Sequence, residues 1–184
     1  RSRPCFRGAN RGTILIRIDR AIAIIAAGKI KERGLRDLID DYLDRVGRHV
    51  RCQEVELRDT KDMESSFRSS IPPDAFTIAL EVDGEALTSE QLSRLMVKRG
   101  SENKGIVAFL IGGADGLPPR LSQQAHMRLS LSKMTLAHRV ARVVLAEQLY
   151  RAVSIWKGEP TTAHDPPRII IDEESHDNPG PDES

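Results

Sequence analysis

The longest uninterrupted apolar stretch of the chain, "AIAIIAA" at residues 21–27, leaves no alternate position polar. A strand that is apolar on both faces must be covered on both, which points to a parallel or mixed sheet held between helices. The run is too short to span a bilayer, and Arg17, Asp19 and Arg20 block its extension toward the N-terminus, so no membrane span is expected. Basic residues ahead of it have the outline of a secretory signal. Charged, periodic sequence resumes directly after "GKIK", however, as in folded protein, and a cytoplasmic location is expected. Aromatic residues make up only 4% of the chain, so its core must be built from Val, Ile, Leu and Ala.

Downstream, strand-like runs alternate with helical periods. "LRDLIDDYLDRVG" puts Leu35, Leu38, Ile39, Tyr42, Leu43 and Val46 on one helical face, ended by Gly47. "VRCQEVEL" alternates as a second strand does. The charged segment from Asp59 to Ser70 reads as a short helix or loop, and "AFTIALEV" reads as a third strand ending near the "DG" turn signal. Ser89 is placed to cap a helix running through Lys98, with Leu92, Leu95 and Met96 facing inward. "GIVAFLIGG" supplies the fourth strand, a helix follows Pro118 and Pro119, "RLSLS" is a short fifth strand, and a last helix spans about Leu136 to Lys157. This alternation predicts an α/β domain with a mostly parallel sheet flanked by helices.

The formal charge of +1 is unevenly spread. Residues 158–184 hold eight acids against Arg168, a net of −7, while residues 1–20 carry six arginines and Asp19, a net of +5. That divides the chain into a basic N-terminal extension (1–20), a folded domain (21–157) and an acidic, Pro-containing tail (158–184) expected to be disordered apart from "RIII". The domain itself is only mildly basic, which allows contacts to RNA phosphates without requiring them. Cys5 and Cys52 form no CxxC pair and are expected to be reduced thiols. His49, His126, His138, His164 and His176 do not fall at metal-ligand spacing, so no metal is expected. The chain also lacks G-x-x-x-x-G-K-[ST] and G-x-S-x-G, and its glycines do not fit G-x-G-x-x-G. Nucleotide triphosphatase and serine hydrolase chemistry are thereby set aside.

Two stretches fall at the carboxyl edge of the expected sheet, where ligands of open α/β sheets bind. One is "IGGADG" (111–116), whose glycines allow close backbone approach; the other is the polar bend within "LSLSKMTLAH". Taken alone, both also suit ordinary tight turns, and Leu80, Leu131 and Leu136 suit a core, with Thr135 capping the last helix.

The combination of "IAIIAAGKIK", "TIALEVDGEALTSEQL", "FLIGGADGL" and "LSLSKMTLAHRVARVVLAEQLYRAVSIWKGEP" resembles the ribosomal RNA large-subunit methyltransferase H family, of the SPOUT class, over roughly residues 21–160. The resemblance implies a C-terminal trefoil knot, an exception to the rule against knotted chains. It implies a homodimer joined largely through the last helix, and S-adenosylmethionine-dependent methylation of N3 of a pseudouridine in 23S ribosomal RNA of assembled ribosomes. Carried onto this sequence, the cofactor contacts are Leu80, Gly112, Leu131, Ser132, Lys133, Met134, Thr135 and Leu136. Main-chain groups of the bend would meet the adenine edge while Leu131, Met134 and Leu136 give apolar contact, and Gly112 would leave room for the ribose or methionine part. The catalytic residues are unknown, and His138 and Arg142, one helical turn apart, are candidates for the substrate side. Arg151 and Lys157 are candidate phosphate partners, and Tyr150 is read as a core or interface residue.

The chain departs from the family pattern twice. Ala137 stands where the family has Pro, which loosens the helix start, and "GEP" is followed by "TTAHDPP" instead of a terminal Tyr-His pair, displacing His164. Two other readings stay open: a same-fold methyltransferase acting on transfer RNA or another base, and, given the second departure, an inactive cofactor-binding protein associated with ribosomes.

Overall fold

The computed structural model of the chain describes residues 21–58, 60–102 and 105–159. Strands and helices alternate as β1 (Ala21–Ala27), α1 (Arg33–Gly47), β2 (Arg51–Leu57), α2 (Met63–Ser70), β3 (Phe76–Ala86), α3 (Ser89–Arg99), β4 (Ile106–Ile111), α4 (Pro119–Gln124), β5 (Met127–Ser130) and α5 (His138–Lys157). The five strands form one sheet in the order β2-β1-β4-β3-β5, and every pairing in it is parallel. The expected basic extension, Cys5, His164 and all of the acidic tail beyond Glu159 lie outside the described residues. No helix among the described residues is long and apolar enough to cross a membrane.

β1 lies between β2 and β4, and all seven of its residues are buried, as its unbroken apolar run requires. On one face of the sheet, Ile22, Ile24, Ile78, Val107 and Phe109 form a core with Leu92 of α3 and Leu145, Leu149 and Val153 of α5. On the other, Ile25, Ala79 and Leu110 pack with Phe67 of α2 and Leu121 of α4. Burying one such Leu contributes about 1.5–3 kcal/mol, so these two layers hold the strand ends in place. Leu38, expected on the inner face of α1, is 41% exposed at the edge of the apolar stripe that Leu35, Ile39 and Val46 follow inward.

Two expected boundaries shift. Thr88, not Ser89, caps α3: its hydroxyl accepts from the Gln91 N–H at 3.2 Å, and the Gln91 side chain accepts from the Thr88 N–H at 2.7 Å. Ser89 lies inside the helix and donates to Gln148 Oε1 of α5 at 2.7 Å. β3, in turn, does not stop at "DG" but runs to Ala86, with a bulge between Leu80 and Glu85 opposite β5. Gly84 allows this, because a Cβ there would sit 2.7 Å from the backbone nitrogens of both Leu129 and Ser130.

Candidate functional site: a cleft at the carboxyl edge of the sheet

A parallel sheet brings its strand ends to one edge, and there the segments after β3, β4 and β5 enclose a cleft of about 380 Å³. Leu80, Glu81 and Val82 line it from β3, Ile111 through Ala114 with Gly116 and Leu117 from the turn after β4, and Leu129 through Ser132 from β5 and the bend beyond it. Met134, Thr135, Leu136, Ala137, His138 and Ala141 complete the lining on the α5 side. Its size falls within the range of small-molecule and cofactor sites, and its lining is largely aliphatic and main-chain.

The turn after β4 owes its shape to Gly112 and Gly116. Gly116 has φ +78°, and its N–H donates to the Gly113 carbonyl at 3.2 Å. A Cβ on Gly112 would come 2.6 Å from the Gly116 carbonyl oxygen and closer still to the Gly116 carbonyl carbon and the Leu117 nitrogen. The space beside Gly112 is therefore filled by the turn's own backbone, which corrects the expectation that this glycine leaves room for ribose or methionine. Gly113 is different, since a Cβ there would meet only the Ala27 side chain, at 3.4 Å.

Two serines fix the bend after β5. The buried Ser130 donates its hydroxyl to the Ser132 carbonyl at 2.9 Å, and Ser132 Oγ accepts from the Met134 N–H at 3.0 Å. The bend is thus held by side chains, and Met134, 76% exposed, stands at the cleft as an apolar surface left open by the described residues.

Of the residues expected at the site, Leu80, Gly112, Leu131, Ser132, Met134, Thr135, Leu136 and His138 line this one cleft. Lys133 is exposed on the bend and does not line it. Thr135 does not cap α5, whose N-cap is Ala137 with no side-chain hydrogen bond. Glu81, expected with Leu80 at this edge, and Ala114 of "IGGADG" also line it, whereas Val82 and Ala141 were not anticipated; knowing that the strand bulges after Leu80 would have found Val82.

Residues 21–161 match the family described as "Predicted SPOUT methyltransferase". Over 140 residues the chain is 46% identical to the ribosomal RNA large subunit methyltransferase H of Sorangium cellulosum (strain So ce56), an alignment covering 76% of this chain and 97% of that protein. The chain belongs to the SPOUT methyltransferase family. It is also 38% identical over 154 residues to the protein of the same name from Bifidobacterium animalis subsp. lactis (strain AD011), with coverage of 76% and 97%. In fold it is similar to a crystal structure described as a probable methyltransferase from Bordetella pertussis Tohama I, with a TM-score of 0.51, 13% identity, and coverage of 74% of this chain and 95% of that one.

Within this SPOUT domain, Arg142 is buried and does not line the cleft. It is 2% exposed; Nε donates to Glu54 Oε1 at 3.1 Å, Nη2 to Glu56 Oε1 at 2.7 Å and Nη1 to the Gly28 carbonyl at 3.2 Å. Arg36 of α1 joins the cluster, with Nη1 2.7 Å from Glu54 Oε2. Glu54 and Glu56 lie two residues apart on the edge strand β2, hence on one face, and two buried-side acids there call for two cations from the helices covering that face. Burial pushes the Glu56 carboxyl up, but the hydrogen bonds from Arg142 and the Ile30 N–H outweigh it and hold the group below its ordinary value of 4.5. A carboxylate with a depressed folded-state pKa contributes stability above its unfolded value that is lost as pH falls through the folded one. Unfolding free energy measured by urea titration should therefore decline as pH drops below about 4.5, and Glu56→Gln should flatten that decline.

Nor are the other expected cations free. Arg151 Nε donates to Glu147 Oε1 at 2.9 Å, and Lys157 Nζ lies 4.3 Å from the centre of the Trp156 ring. Tyr150 packs against the main core with its ring 5.9 Å from that of Tyr42, in keeping with a core role.

At Ala137 the backbone has φ −58°, the value proline imposes. The helix start is therefore already formed as proline would form it, and the substitution acts mainly on the unfolded chain. Ala137→Pro is expected to raise stability by about 0.4–1 kcal/mol in chemical denaturation, without weakening donor binding.

Proposed function

We propose that this chain transfers a methyl group from S-adenosylmethionine to large-subunit ribosomal RNA, at N3 of a pseudouridine in 23S ribosomal RNA of assembled ribosomes, acting in the cytoplasm as a homodimer with the family's knotted C-terminal segment. The observation that carries this reading is the convergence of Leu80, the Gly112 turn and the 131–136 bend on one cleft of cofactor size. The relatives' names supply the substrate class: proteins so similar over nearly their whole length carry the name ribosomal RNA large subunit methyltransferase H.

The donor's sulfonium supplies an already activated methyl group, so the protein's part is alignment. Leu131, Met134 and Leu136 would give the adenine apolar contact, and the main chain of the bend, braced by Ser130 and Ser132, would present hydrogen-bonding groups to its edge. The turn at 112–117 would wall the donor from the other side, and His138, which also lines the cleft, would meet the acceptor. The acceptor's N3 proton would leave to water.

The test is to incubate purified protein with methyl-labelled S-adenosylmethionine and unmodified ribosomes, isolated ribosomal RNA, or transfer RNA. Label on the large-subunit RNA of ribosomes supports the reading. Label on transfer RNA alone, or tight donor binding with no label anywhere, overturns it in favour of a different acceptor or an inactive donor-binding protein. The homodimer is checked by the mass in solution.

A further inference from the structure

Across the 113–116 turn from the donor cleft lies a second hollow of about 340 Å³, lined in part by Gly28 at the end of β1, by Lys29 and Lys31, and by His138 and Arg139 of α5. The two hollows share Gly113, Ala114, Gly116 and His138, so they adjoin along these residues. Other hollows among the described residues lie at the opposite, amino edge of the sheet. An apolar one is lined by Ala21 and Gly105, and a mixed one by Ala75, Ile106 and the Arg99–Glu102 ion pair.

The second hollow differs from the donor cleft in charge. Arg139 is ion-paired with Glu32, and Asp115 also lines the hollow, but neither Lys29 nor Lys31 has a carboxylate partner among the described residues. Two uncommitted ammonium groups at the mouth of a hollow suit an anion carried on something larger, and Lys binds phosphate as a point charge. A nucleophile must also come within about 3–3.5 Å of the carbon it attacks, so the acceptor's space must adjoin the donor cleft. The hollow that shares Gly113, Ala114, Gly116 and His138 with the donor cleft offers both.

We propose that this second hollow is the acceptor subsite: it receives the RNA nucleotide to be methylated, with Lys29 and Lys31 on its phosphodiester and His138, where the two hollows adjoin, positioning its base toward the donor. The assignment rests on the reading of the chain as an RNA methyltransferase. It adds two residues, placed by the "GKIK" that follows β1, to the side of the site that faces RNA. Phosphate contacts of this kind fix the position of the nucleic acid and make its binding depend on salt.

The test compares the full chain with a Lys29→Glu, Lys31→Glu double variant. An Arg94→Glu, Lys98→Glu double variant makes the same charge change on exposed positions of α3, away from the hollow. Binding of purified large ribosomal subunits is followed by co-sedimentation over a range of salt, methyl transfer by label, and donor affinity by calorimetry. The first variant should weaken subunit binding and raise KM for ribosomes by about tenfold or more, with the salt slope reduced by about two, donor affinity within about twofold of the parent and an unchanged melting temperature. The α3 variant should stay near the parent. Equal losses in both variants, or an unchanged salt slope in the first, overturn the subsite. Should the parent transfer no label to ribosomes, the proposed activity fails by that result, and the subunit-binding arm alone still decides whether this hollow holds RNA.

Discussion

Gly112→Ala is expected to abolish useful donor binding, whereas Gly113→Ala, one residue on, leaves it nearly intact. The two glycines look equivalent in "IGGADG", but their surroundings differ. A methyl on Gly112 would overlap the Gly116 and Leu117 backbone, and main chain cannot rotate aside as a flexible side-chain tip can. The 113–117 turn would have to move, carrying Gly113, Ala114 and Gly116 out of the wall they form around the cleft. Overpacking of this kind costs about 1–3 kcal/mol of stability. A displacement near one ångström at a positioning wall is expected to lower kcat/KM on the order of 100-fold. A methyl on Gly113 meets only Ala27 Cβ at ordinary contact distance. Calorimetric titration with S-adenosylmethionine, alongside thermal melts of both variants, checks the contrast. Equal behaviour of the two variants would contradict the backbone-approach explanation.

The largest loss of stability is expected at Arg142. Replacing it with Ala removes four contacts at once and leaves Glu54 and Glu56 sharing, among the described residues, only Arg36 as a close cation. Truncating one partner of a buried ionic cluster costs about 3–5 kcal/mol, because the remaining charges stay desolvated. Arg142→Lys keeps the charge but not the fork that reaches two carboxylates and the Gly28 carbonyl, and should fall between the two. Urea denaturation measures the differences directly. If Arg142→Ala instead kept full stability and lost only RNA methylation, the structural role argued here would be wrong and a substrate-facing one restored.

The same arginine shows where the sequence stops being legible. Helical spacing pairs it with His138, four residues earlier, and that pairing suggested a shared outward face. What decides its surroundings is a long-range feature, the two glutamates on one face of an edge strand 86 and 88 residues away. Strand order is not written in local periodicity, so that face could not be matched to α5 in advance. The strands were easier. β1 and β4 are unbroken apolar runs because both of their faces are covered, and each falls within a residue or two of where its sequence places it. At α3 the signal was present and misread: Thr88-x-x-Gln91 fits the reciprocal cap, whereas Ser89 is followed three residues later by Leu92.

For the site, resemblance and local chemistry named the segments while packing supplied their reasons. Eight of the anticipated residues, including Leu80, Gly112 and Met134, line one cleft, although they come from stretches up to 58 residues apart. That Gly112 serves the turn's own backbone, that Gly84 lets β3 cross β5, and that Ser130 and Ser132 brace the bend are facts of close approach, invisible to a one-dimensional pattern.

Amide hydrogen exchange of the full chain, with and without S-adenosylmethionine, tests the central claim most directly. Donor-induced protection should gather at residues 80–82, 111–117 and 130–138 and leave the amino edge of the sheet near Ala75 and Ile106 unchanged. Saturating donor that protects none of those three segments, or protects the amino edge instead, would contradict the account.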